Sequence, residues 1–142
     1  MKKSTAELLD LMKNSRSYDE YYAACKDEIG QGLMKIDRVL HALLLEKRVS
    51  KAEVIARSGL ETHYAYQIFS GVKKPTRDKV LMLGVGLGLS VEEMQRTLKI
   101  TGYAQLYCKE ERDNAILFGF TKRLSILDIN DLLFELQLEL LH

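Results

Sequence analysis

Apolar residues recur along this chain at three- and four-residue intervals, the spacing of one helix face, and the alternation expected of strands is absent. The clearest stretch lies between Met34 and Glu46. There Ile36, Val39, Leu40, Leu43 and Leu44 predict one apolar stripe turned to a core. Local punctuation supplies the other elements. Thr5 predicts the start of a helix that runs to about Lys13 and is broken by Asn14, Ser15 and Arg16. Ser17, with Glu20 three residues on, has the form of a capping box and opens a second helix, to about Glu28. Gly30 and Gly32 then mark a linker. Ser50 with Glu53 opens a short helix that Gly59 stops, and another runs from Thr62 to Ser70 and stops at Gly71. Past Pro75 and Thr76 a helix is predicted from Arg77 to Leu87, with Gly88 in the position of a left-handed stop. Ser90 with Glu93 opens the next. Gly102 begins a loop, and two further helices are predicted, Glu110 to Thr121 and Ser125 to Leu138.

The fold class is therefore all-α, in three parts. Residues 1–33 form an N-terminal helical extension, 34–97 a unit of five short helices, and 98–142 a C-terminal helical hairpin packed on that unit. An apolar fraction of 46% over 142 residues is enough for a core, and a single proline argues against long disordered tracts. The net charge of +1 says little, but its distribution is uneven. From Lys47 to Lys79 eight basic residues stand against three acidic ones, a local +5, whereas residues 124–142 hold four acids and no lysine or arginine. The first segment can face phosphate and the second cannot. Cys25 and Cys108 are isolated and read as reduced thiols of a cytoplasmic protein. Glu7 and Asp10 interrupt the only signal-peptide-like stretch, Ala6 to Met12. The longest apolar run, Val80 to Leu89, is about half of a membrane span, so no membrane association is expected.

The segment Ser50 to Gly71 carries the functional signal. Two short helices meet at a turn containing Gly59, the helix-turn-helix pattern, in which one helix enters the DNA major groove while the other braces it. Val54, Leu60 and Ile68 are the apolar positions expected to pack the pair onto the rest. With the Gly-x-Lys-x-Pro loop at 71–75 and Leu-Gly-Leu-Ser-Val-Glu-Glu at 87–93, residues 34–97 resemble the phage-repressor-like, or XRE, family of DNA-binding domains. The resemblance covers under half of the chain. It implies that the start of the second helix reads bases, which here places Thr62, His63 and Tyr64 at the groove with Gln67 one turn on. Gln suits adenine, Thr can touch a thymine methyl, and His can donate or accept. Phosphate contacts are implied for Lys51, Ser70, Lys73 and Lys74.

Two departures from the family pattern stand out. Ile55 and Ala65 occupy positions where the family has a small and a large residue respectively, an exchange that conserves volume. Glu61 puts a carboxylate at the mouth of the second helix, suited to the helix dipole but unfavourable near phosphate. Tyr64 and Tyr66 also read as cover for the edge of the core. Gly84, Gly86 and Gly88 superficially resemble a dinucleotide fingerprint, but they lie in a helix with no preceding strand, so close approach of a neighbouring helix explains Gly84 and Gly86 better. His41, His63 and His142 are scattered, no metal or nucleophile set can be assembled, and neither an enzyme nor a cofactor is expected.

The expected function is sequence-specific binding of double-stranded DNA by a transcriptional regulator of the repressor kind. The rival is a protein-interaction adaptor that uses the same fold toward a protein partner. The stripe Ile129, Leu132, Leu133, Leu136 and Leu140 has two readings, packing on its own domain or a homodimer surface.

Overall fold

The computed structural model describes residues 3–27 and 32–142. All regular structure among them is helical: α1 (Thr5–Asn14), α2 (Tyr18–Cys25), α3 (Ile36–Lys47), α4 (Lys51–Ser58), α5 (Thr62–Phe69), α6 (Arg77–Leu87), α7 (Val91–Ile100), α8 (Glu111–Thr121) and α9 (Ile126–Glu135). No helix among the described residues is long and apolar enough to cross a membrane. The chain forms two compact units, residues 1–33 and 34–142.

In the first unit Ser4, not Thr5, caps α1 by accepting from the Glu7 N–H. Ser17 caps α2, but the Glu20 carboxylate accepts from Arg16 N–H instead of closing the box on Ser17. The expected helix end at Glu28 and the linker residue Gly30 lie outside the described residues.

In the second unit the stripe Ile36, Val39, Leu40, Leu43 and Leu44 is buried as the periodicity requires. α3 begins at Ile36 after an extended Lys35, and Met34 N–H just before it donates to the Ile100 carbonyl at the end of α7. Ser50, Thr76, Ser90 and Ser125 each cap the helix that follows, and of these only Ser90 with Glu93 makes the reciprocal box. Around them α6 is the central helix, buried at Val80, Leu81, Met82, Leu83, Gly84, Gly86 and Leu87. α4 lies closest to it. A Cβ on Gly86 would stand 2.5 Å from the Val54 carbonyl oxygen, so glycine is what lets the two backbones meet.

Residues 98–142 share this core. Ile116, Phe120, Ile129, Leu133 and Leu141 belong to the same buried cluster as α3 to α7. The last helix does not reach Leu138: Gln137 takes a left-handed conformation (φ 59°), and Leu138 N–H closes onto the Leu133 carbonyl. The chain then runs back, with Asn130 bonding both the N–H and the carbonyl of Leu141. Ile129 and Leu133 of the expected stripe are accordingly buried, whereas Leu136 and Leu140 are exposed. α8 buries Ala115, Ile116, Gly119 and Phe120 and turns Phe118 outward.

Candidate nucleic-acid interface

The helix pair α4 and α5 is joined by Gly59 and Leu60 and capped anew at Glu61. Gly59 sits at φ 76°, a conformation L side chains resist, and Ile126 of α9 packs against it. Ser58 is fully buried, and its hydroxyl donates to the Ile55 carbonyl while accepting from Leu60 N–H, which ties the turn together. α5 seats on the core through Ala65, Ile68 and Phe69. Ile55 and Ala65 are both buried in that core.

With those three side chains inward, the helical period turns His63, Tyr66, Gln67 and Ser70 outward. Thr62 and His63 are exposed at the first turn, and Gln67 is half-buried. Tyr66, 43% exposed, shares this outer face. From the sequence Tyr66 reads either as cover for the core edge or as a contact for a protein partner, since a tyrosine at helical spacing suits both. Tyr64 lies to one side, half-buried, with the Lys79 ammonium 5.5 Å above its ring.

The cations gather around this face. Lys51 opens α4, and its ammonium stands 5.7 Å from the centre of the Phe69 ring. Lys73 and Lys74 are exposed on the loop after α5, and the Lys74 ammonium is 5.9 Å from the Tyr103 ring. Thus Lys51, Lys74 and Lys79 each hold their ammonium against an aromatic ring. Arg77 and Arg112 are different. Each makes a bidentate pair, Arg77 with Asp113 and Arg112 with Asp78, so they are structural bolts. Ser70 Oγ donates to the Gln67 carbonyl, leaving only acceptor capacity.

The loop itself is held from α5. Val72 and Lys73 N–H groups both donate to the Gln67 carbonyl, at 3.0 and 3.1 Å. The His41 ring nitrogen lies 2.9 Å from the Phe69 carbonyl and clamps the end of the helix from α3. Glu61 accepts from the N–H groups of His63 (3.0 Å) and Tyr64 (2.7 Å). The backbone donors of Tyr64 and His63 hold its carboxyl below the usual range, so a charged carboxylate stands at the mouth of α5. Among the described residues no group of three or more metal-binding side chains comes together. His41, Tyr103 and Arg77 were missed as parts of this region, and their partners lie 27 to 36 residues away in sequence.

No protein-family model, curated protein or solved structure matches the chain.

Proposed function

We propose that this chain is a DNA-binding transcriptional regulator of the XRE, phage-repressor-like type, acting in the cytoplasm by occupying an operator. α5 lies in the major groove and α4 braces it. The observation that carries the reading is the outer face of α5. Groove-reading types at positions 63 and 67 project together from a helix whose flanks carry Lys51, Lys73, Lys74 and Lys79. Thr62, His63 and Gln67 contact base edges, with Tyr66 beside them, and Lys51, Lys73 and Lys74 contact phosphate. Tyr64, drawn toward Lys79, contributes less to base reading than its place in the sequence implied. The reading assigns no catalytic step and no cofactor.

Selection from random duplexes, followed by titration at several salt concentrations, tests it. Gln67→Ala is expected to cost about 1–3 kcal/mol and to relax preference at one base pair. Lys73→Ala should weaken all duplexes alike and reduce the salt slope by about one unit. Absence of duplex binding at low salt refutes the reading.

Two observations favour the rival, a protein-interaction adaptor. The Glu61 carboxylate sits where phosphate would approach, and the exposed Tyr66 is a side chain enriched in protein interfaces. In that case the same face takes a protein partner, and salt dependence on duplex DNA is absent.

A further inference from the structure

The loop that carries Lys73 and Lys74 has a support outside the five-helix unit. Its first half is fixed by the bonds from Val72 and Lys73 to Gln67, and its far end by the Thr76 cap of α6. Between these lie Lys74 and Pro75. Pro75 has no N–H to donate, and its carbonyl accepts the Tyr103 hydroxyl at 2.6 Å. The same tyrosine presents its ring to the Lys74 ammonium. One side chain therefore touches the loop twice, once at the backbone and once at the charge.

Tyr103 is itself well fixed. Its N–H donates to the Leu98 carbonyl. Arg77 donates to the carbonyls of Ala104 and Gln105 as well as to Asp113, whose carboxylate also accepts from Tyr107 N–H. Gln95 grips both the N–H and the carbonyl of Leu106. Burial and the nearby Tyr64 phenol push the Tyr103 hydroxyl's pKa up, which keeps it a hydrogen-bond donor.

We propose that Tyr103 is a positioning residue for phosphate contact, and that residues 101–113, although outside the helix-turn-helix unit, set where Lys74 stands on the DNA strand. The inference rests on the DNA reading above. A tyrosine that merely filled space would influence stability alone. A positioning tyrosine acts through Lys74, and its loss matters only while Lys74 is present.

The test uses the full chain and a fluorescein-labelled mixed-sequence duplex of about 20 base pairs, long enough to cover one recognition helix and its flanking phosphates. Affinity is read by anisotropy across a salt series, with thermal melts of each variant. Lys74→Ala is expected to lower the salt slope by about one unit. Tyr103→Leu should lose about the same slope and affinity, and Tyr103→Leu in the Lys74→Ala background should lose nothing more. Tyr103→Phe keeps the ring and the volume, and should fall between wild type and Tyr103→Leu. Should Tyr103→Leu fold poorly, the Tyr103→Phe and Lys74→Ala pair carries the same cycle. Independent, multiplying effects of positions 74 and 103 overturn the proposal, as does an unchanged slope in both tyrosine variants. In those cases wild type still binds with a steep salt dependence, and only this inference falls. A wild-type chain that binds no duplex removes the DNA reading and this inference together.

Discussion

Gly86 is the sharpest test of how α4 is held against α6. An alanine there would put its Cβ 2.5 Å from the Val54 carbonyl oxygen, 3.2 Å from Val54 Cγ1 and 3.3 Å from Ser58 N. Carbon and oxygen normally approach to about 3.3 Å, so α4 would have to withdraw by roughly 0.8 Å. Two of the three obstacles are backbone atoms and cannot rotate away. Replacing a glycine inside a helix gains about 1 kcal/mol, while overpacking costs about 1–3 kcal/mol. A gap of this size along the rest of the α4–α6 contact forfeits a quarter to a half of each dispersion well, which adds to the loss. Gly86→Ala should therefore destabilise by about 1–3 kcal/mol net. Gly84→Ala is the control. Its Cβ would meet Met94 Sδ, the middle of a flexible thioether chain that can repack, so its cost should be smaller. Urea melts at 25 °C measure both, with an unchanged m-value required for the comparison. If Gly86→Ala is as stable as wild type, or less harmful than Gly84→Ala, the close approach of α4 to α6 is not what requires glycine.

Asp113→Ala strips Arg77 of its bidentate partner and Tyr107 N–H of its acceptor. Partial exposure of Arg77 tempers the loss to about 2–4 kcal/mol, visible as a lowered urea midpoint. Deleting residues from Lys109 onward removes Ile116, Phe120, Ile129, Leu133 and Leu141 from the core, and cooperative thermal melting should be lost. A sharp transition at the wild-type temperature would show that the hairpin is peripheral. Acid should destabilise the fold. Glu93 is held below the usual carboxyl range by the Lys47 side chain and then by Ser90 N–H, and Glu61 by its two backbone donors. Burial of Asp113 works against its charge, but Arg77 and Tyr107 N–H outweigh it and the net shift is also downward. Groups depressed on folding contribute their stability above the unfolded pKa, near 4, and lose it as pH falls through the folded value. Melting temperature should therefore drop on titration below about pH 4, and Glu93→Gln should flatten that drop.

Helices bounded by local chemistry were legible from the sequence. α6 was bounded correctly because Thr76 and Gly88 mark both of its ends within a few residues. α9 was read too long because its stop is tertiary. Gln137 is no habitual left-handed residue, and the turn is stabilised by Arg112, which comes from α8 to bond the carbonyls of Glu139 and Leu140. Arg48 and Arg123 likewise hold left-handed positions where a pattern search looks for glycine. At the candidate site, helical period alone placed His63 and Gln67 on one outward face. It could not place Tyr64, since which flank of α5 meets Lys79 depends on how α6 is set beside it. Tyr103, His41 and Arg77 were beyond its reach for the same reason, because they meet the site only through the tertiary fold.

The burial of α6 also has a kinetic meaning. With seven of its residues buried, its amides are expected to exchange with solvent deuterium only when the whole unit opens, whereas those of α1, which buries no residue, are expected to exchange through local fraying. α4 is seated directly on α6. α5 stands on the same core, through only three buried side chains of its own. A helix of eight residues would flicker open in isolation. Here it is seated against α3 and α4, and its outward residues keep their bearing for as long as that core remains closed.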